Sequence, residues 1–149
     1  MTDRDKEERP VLLKENIVLN CKAATPEEAI INAGSLLLKS GYIKSGYIKG
    51  MLSRDQNFSV YLGNMLAIAH GEKKARDQIL RTGISVLIYP EGIDWHGNQV
   101  KVVMGLAAIG DEHMEILMHC ANIFSDRKQV ERLVRCRDKE KVYQMFNSL

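Results

Sequence analysis

The chain predicts an α/β fold of the α+β kind: three layers, with a mixed β-sheet flanked by helices on both faces. Three observations carry this reading. Thr82 to Tyr89 and Val100 to Ile109 are β-rich and largely apolar, as central strands buried on both faces are. A strong helix start at Thr25-Pro26-Glu27-Glu28 lies before them. Three helical segments follow the last strand and close the chain.

Taken in order, Met1 to Pro10 is a charge run (Asp3-Arg4-Asp5-Lys6-Glu7-Glu8-Arg9) without apolar periodicity, read as a mobile, solvated leader. Residues 11–149 are then one folded domain. Asn16 to Leu19 is a short strand candidate. In the first helix Thr25 caps, Pro26 takes the first helical position and Glu28 completes a capping box. Ala29, Ile30, Ala33, Leu36 and Leu37 form its apolar face, and Gly41 stops it. Ser40–Lys44 and Ser45–Lys49 repeat one pentapeptide, Ser-Gly-Tyr-Ile-Lys, which is too short to be a structural repeat. The second copy opens a helix with Tyr47, Ile48, Met51 and Leu52 on its apolar face, aiming Arg54 toward the next loop. Ser59 to Leu62 and Met65 to Ala69 read as extended. Tyr89-Pro90-Glu91-Gly92 reads as a turn. The closing helices run from about Glu112 to Phe124, Asp126 to Arg135 and Asp138 to Phe146, with Asp111, Ser125 or Asp126, and Asp138 as caps.

Composition narrows the function. At 149 residues the chain is large enough for one sound core, and 45% apolar with 27% charged residues is an ordinary globular profile. A net charge of +2 argues against nucleic acid or an anionic membrane as partner. No apolar run is long enough to span a bilayer and the N-terminus lacks a signal core, so a cytoplasmic location is expected. Cys21, Cys120 and Cys136 are widely spaced and odd in number, which fits reduced, small buried side chains and neither a disulfide framework nor a zinc site.

The chemistry concentrates in two places. Tyr61-Leu62-Gly63-Asn64-Met65-Leu66-Ala67-Ile68-Ala69-His70-Gly71 ends a strand-like run on a histidine, followed by a residue with no side chain to screen it. Forty-three positions on, Gly110-Asp111-Glu112-His113 puts a second histidine in the first turn of a helix, where the helix field lowers its pKa. Histidines at element ends without a cysteine pair point to transfer chemistry rather than metal binding, although a histidine on an apolar segment is more often structural. Arg54 suits pairing with two phosphoryl oxygens, and is also an ordinary surface residue type. Asn64 either orients His70 or closes a turn after Gly63. His96 lies in a solvated polar turn, His119 faces away from His113, and Trp95 reads as a surface anchor for a partner.

His70 with Leu62-Gly63-Asn64 and Ala67-Ile68, the Tyr89-Pro90-Glu91-Gly92 segment, Gly105-Leu106-Ala107-Ala108 and Glu112-His113 together resemble the IIA domains of the bacterial phosphoenolpyruvate-dependent sugar phosphotransferase system. Within the mannitol/fructose class they are most similar to the mannitol-type branch. The resemblance runs from about Val11 to Leu149. It implies that His70 is phosphorylated by the phosphohistidine of HPr and passes the group to the cysteine of a IIB domain of a membrane sugar permease, with no metal or organic cofactor. It implies that His113 lies beside His70, that Arg54, sixteen residues before His70, is the active-site arginine, and that Asn64 stands where the family has Asn or Glu. A stand-alone mannitol-type phosphocarrier is the reading adopted. The alternatives are a regulatory relative that signals through phosphorylation-dependent protein binding, as nitrogen-type IIA proteins do, and a plain interaction module. Two positions depart from the family pattern. Ala69 replaces the usual Pro, which predicts a looser His70 loop, and Glu72 replaces Thr, adding a negative charge two residues from His70.

Overall fold

The computed structural model describes residues 10–146. The charged leader read at the N-terminus lies, except for Pro10, outside the described residues. Five strands form one mixed sheet: β1 (Leu12–Val18), β2 (Tyr61–Gly63), β3 (Leu66–His70), β4 (Gly83–Trp95) and β5 (Asn98–Ala107). Their order is β1-β4-β5-β3-β2. β4 and β5 form a long antiparallel hairpin, β1 runs parallel to β4, β3 runs parallel to β5, and β2 returns antiparallel on β3.

The three-layer expectation holds, and side-chain alternation explains it. Ile84, Val86, Ile88, Val102, Met104 and Leu106 face one layer, where helices α3 (Glu112–Ile123), α4 (Arg127–Arg135) and α5 (Lys139–Met145) cover them with Ile116, Cys120, Leu133, Val142 and Phe146. The intervening Leu87, Tyr89, Val103 and Ala107 face the other layer, under α1 (Pro26–Lys39) and α2 (Gly46–Asn57). Strands buried on both faces are apolar at most positions, which is why β4 and β5 read as near-continuous hydrophobic runs.

Local chemistry sets most boundaries. Glu28 N–H donates to Thr25 Oγ1 at 3.1 Å and Thr25 N–H donates to Glu28 Oε1 at 3.0 Å, so the capping box of α1 forms as read. A cap of this type is worth about 1 kcal/mol. Asp126 and Asp138 cap α4 and α5 by accepting from Lys128 N–H and Glu140 N–H. Ser125 instead donates back to the Asn122 carbonyl, and the Asp111 side chain makes no capping bond.

Four elements differ from the sequence reading. β1 begins at Leu12; Lys14 and Glu15, both exposed, fall where the pairing of this edge strand with β4 shifts register, and they hide the pattern. β2 begins only at Tyr61, since the side chains of Asp55 and Ser59 take the N–H groups of Val60 and Tyr61. Tyr89-Pro90-Glu91-Gly92 is not a turn. It is an irregularity within β4, where the five steps from Ile88 to Ile93 face only two on β5. The turn lies further on, at His96-Gly97, where both residues have positive φ. Finally, the segment read as a loop at Ala69-His70 is strand: Ala69 and His70 pair with Gly105 and Leu106 in the β3–β5 ladder.

Candidate functional site

β3 and β5 run parallel, and the segments leaving their carboxyl ends diverge. His70-Gly71 leads into a 3-10 helix (Lys73–Gln78), while Ala108 to Asp111 leads into α3. Between them opens a cleft of about 530 Å³, lined by His70, His113, Arg54, Tyr47, Glu72 and Arg76 among others. A crevice outside the carboxyl ends of parallel strands is where open α/β sheets bind ligands.

The backbone on either side of His70 is held tightly. Gly71 N–H donates to the Tyr47 hydroxyl at 2.8 Å, and that hydroxyl donates to the Leu106 carbonyl at 2.9 Å. Tyr47 therefore bridges the ends of β3 and β5. A side chain on residue 71 would place a Cβ 2.5 Å from the Tyr47 ring, so glycine is required by this close approach rather than by the need to unscreen His70.

The His70 ring has a defined polarity. Its Nδ1 lies 3.0 Å from the Ile68 carbonyl oxygen, which can only accept, so Nδ1 carries the proton and Nε2 keeps its lone pair. Burial lowers the pKa of His70 from its ordinary value; the Ile68 bond opposes this, and the neighbouring His113 and Arg54 reinforce it. His113 stands edge-on to it, ring centroids 5.1 Å apart and planes at 77°. Its pKa is lowered, the direction expected from sequence, by burial and then by Arg76 and Arg54. The start of α3 is fixed by Thr82, whose hydroxyl accepts from Ile109 N–H at 3.0 Å and donates to Glu112 Oε1 at 2.9 Å.

Arg54 reaches the cleft from the last turn of α2. Its Nη1 donates to the Phe58 carbonyl and its guanidinium lies 5.6 Å from the Phe58 ring centroid. The structure thus gathers His70, His113 and Arg54. Asn64 is not brought to them. It sits at the opposite end of β3, in the hairpin turn where Asn64 and Met65 both have positive φ, and its Nδ2 donates to the Phe124 carbonyl at 2.6 Å. Of its two readings, the turn is what the structure supports.

Trp95 corrects another expectation. It is wholly buried, and its indole N–H donates to Asp55 Oδ1 at 2.9 Å. His96 Nε2 reaches Asp55 Oδ2 at 2.8 Å, so this exposed ring is tethered rather than freely solvated. Among the cysteines only Cys120 is buried, with its thiol pushed up to about 12 by burial; Cys21 and Cys136 are partly exposed. No cluster of three or more potential metal ligands occurs among the described residues.

Two cleft residues were missed from sequence. Tyr47 was read as one more apolar helix residue, though its offset of seven from Arg54 puts both on one face of α2. Arg76 lies in a charged stretch with no periodicity to single it out.

Comparison with known proteins is consistent with this geometry. The family model described as "Phosphoenolpyruvate-dependent sugar phosphotransferase system, EIIA 2" matches residues 10–149. The mannitol-specific phosphotransferase enzyme IIA component of Bacillus subtilis is 40% identical over 140 residues, 93% of this chain and 98% of that protein. Among solved structures, the complex of enzyme IIA-Mtl and phosphorylated enzyme IIB-Mtl from Escherichia coli matches with a TM-score of 0.84 and 35% identity, covering 91% of this chain and 96% of the other. The crystal structure of IIA mannitol from Escherichia coli matches with a TM-score of 0.82 and 37% identity, covering 89% and 96%.

Proposed function

The chain belongs to the EIIA 2 family of the phosphoenolpyruvate-dependent sugar phosphotransferase system, and from that premise we propose that it is a mannitol-type phosphocarrier with His70 as the phosphorylated residue. It accepts the phosphoryl group of phospho-HPr and hands it to the cysteine of the IIB domain of a mannitol-type sugar permease. Residues 11–149 act as one IIA domain, working in the cytoplasm. No helix among the described residues is long and apolar enough to cross a membrane.

The observation that carries this reading is the polarity of the His70 ring. Nδ1 is committed to the Ile68 carbonyl, and burial disfavours protonation of the other nitrogen, so Nε2 offers a lone pair to the cleft at neutral pH. In the accepting step Nε2 forms a new N–P bond as the donor's N–P bond breaks, and the electron pair of the broken bond stays on the donor's ring nitrogen. In the donating step the acceptor thiolate forms an S–P bond and the His70 N–P pair returns to Nε2. Neither step requires a metal or organic cofactor.

His113, kept neutral by burial and two arginines, serves as a hydrogen-bond donor to the phosphoryl oxygens. Arg54 supplies positive charge from the other side. Phe58 and Met114, which line the cleft, are exposed and give it an apolar edge suited to transient docking. A carrier must release its partner after each transfer, so micromolar or weaker affinity through a small interface is expected. The IIB assignment is supported by the resemblance to the solved Escherichia coli complex.

Incubation with phosphoenolpyruvate, enzyme I and HPr, followed by mass measurement, tests the reading. One acid-labile, alkali-stable phosphoryl group is expected on the wild type and none on a folded His70→Ala variant. Full labelling of His70→Ala, or no labelling of the wild type, would overturn it.

A further inference from the structure

Three cations line the cleft: Arg54, Lys73 and Arg76. Arg54 is already engaged, with its guanidinium donating to the Phe58 carbonyl and lying over the Phe58 ring. The Arg76 guanidinium is exposed and makes no hydrogen bond or ion pair among the described residues. Glu72 and Asp111 are the acidic side chains of the same cleft, and neither pairs with it.

The segment that carries Arg76 is nonetheless fixed. Ala75 packs so closely on α2 that a Cβ on Gly50 would come within 2.7 Å of the Ala75 Cβ. Three residues on, the Gln78 carbonyl accepts from Lys44 N–H at 2.8 Å. A free guanidinium on a pinned backbone, in the cleft that His70 and His113 also line, is placed for an anion that enters it.

We propose that Arg76 is a second phosphoryl-binding arginine, contacting the group in transit together with Arg54. The proposal rests on the phosphocarrier reading. Its electrostatic footprint agrees: after burial, Arg76 is the leading cause of the lowered pKa of His113, and it acts on Tyr47 as well, whereas Arg54 acts on both histidines. Lys73 shares the cleft but perturbs none of these groups. A guanidinium also matches two phosphoryl oxygens at once, which an ammonium does not.

The role is electrostatic and no proton moves through Arg76. As the N–P bond to the donor breaks and that to Nε2 forms, negative charge on the transferring oxygens meets two cations.

The test compares Arg76→Ala, Arg76→Lys and Lys74→Ala. Lys74 is exposed on the same 3-10 helix but lies outside the cleft, so its loss removes one positive charge without touching the site. Loss of a charge-assisted contact made in the transition state predicts transfer from phospho-HPr slowed by about tenfold or more in Arg76→Ala. Arg76→Lys should recover part of that rate and Lys74→Ala all of it. In Arg76→Ala the phosphorus resonance of phosphorylated His70 should shift and the His113 titration midpoint, followed by proton resonance, should rise.

Wild-type transfer rates in Arg76→Ala would overturn the proposal. So would a defect confined to KM that vanishes at high salt with an unmoved phosphorus resonance, since that would make Arg76 a docking cation for the donor protein. If the wild type takes no label, it is the phosphocarrier reading that fails. An unmoved His113 midpoint in unphosphorylated Arg76→Ala would, by contrast, contradict the Arg76 placement alone.

Discussion

Two histidines of this chain sit at strand ends, and their surroundings are opposite. At the hairpin tip, His96 joins Trp95 and Val60 in saturating a single buried carboxylate: Asp55 accepts from Val60 N–H at 3.0 Å, the Trp95 indole at 2.9 Å and His96 Nε2 at 2.8 Å. At the end of β3, His70 has one ring nitrogen tied to a carbonyl and the other left open, beside a second imidazole in a cleft that also holds cations, and no carboxylate among the described residues bonds to it. The first cluster has completed its hydrogen bonding and holds α2 to the β4–β5 hairpin. The second holds a lone pair and positive charge in reserve, which is what a group arriving with negative charge needs. The lesson is that a histidine's partners, more than its position, separate fastening from chemistry.

Removing the two key side chains should break this comparison in opposite ways. His70→Ala is expected to abolish phosphoryl labelling while costing only about 1 kcal/mol of stability, the scale of one hydrogen bond at a half-buried position. Asp55→Ala should do the reverse. It strands the buried Trp95 indole and Val60 N–H, at about 1–3 kcal/mol for each unpaired group, and still accepts label wherever it remains folded. Denaturant unfolding alongside labelling reads both; an Asp55→Ala variant as stable as the wild type would dissolve the structural half of the contrast.

His113→Ala and Arg54→Ala come next in size. Each removes one charge-assisted or hydrogen-bonded contact to the phosphoryl group, worth about 1.5–3 kcal/mol, or roughly ten- to hundredfold in rate if made in the transition state. Rapid-quench transfer in both directions measures this, and wild-type rates for both variants would reduce them to bystanders.

The pH dependence is smaller and has a fixed sign. Burial lowers the pKa of both His70 and His113, so between the ordinary value of 6.5 and their folded values the unfolded chain binds more protons than the native one. The stability that depends on the neutral rings is therefore complete above about pH 6.5 and is lost as pH falls through the folded values. The acidic limb of the labelling rate should likewise lie below 6.5, because Nε2 stays unprotonated there. A limb centred at or above 6.5 would contradict the burial argument.

The smallest effect is expected at Glu72, which lines the cleft with one carboxylate oxygen buried and unpaired. Glu72→Lys should lower the association rate with HPr a few-fold at low salt, and the gap should close as ionic strength rises. An unchanged or faster rate would mean that Glu72 does not face the donor. Glu112, next to His113 in sequence, is already bonded to Thr82.

Much of this was legible in the chain because it is written locally. The apolar runs of β4 and β5 and the caps of α1, α4 and α5 each depend on residues close together in sequence, as does the strand ending at His70. What escaped depends on long-range contact. The two Ser-Gly-Tyr-Ile-Lys copies make the point: Ser40 caps the end of α1 and Tyr42-Ile43 runs on as buried loop, while Gly46 and Tyr47 open α2. Identical pentapeptides adopt different structures because their tertiary partners differ. Trp95 was misread as a surface residue for the same reason, since its partner Asp55 lies forty positions earlier. The turn role of Asn64 and the cleft placement of Tyr47 and Arg76 likewise depend on residues distant in sequence.

The central claim is that the open nitrogen of His70 takes the phosphoryl group. Nitrogen-15-labelled protein, phosphorylated by phosphoenolpyruvate, enzyme I and HPr, tests it directly through the nitrogen–phosphorus coupling of the histidine rings. The account predicts one coupled nitrogen, Nε2 of His70, with the Nδ1 proton retained. Coupling at Nδ1, or at any other histidine, would contradict it.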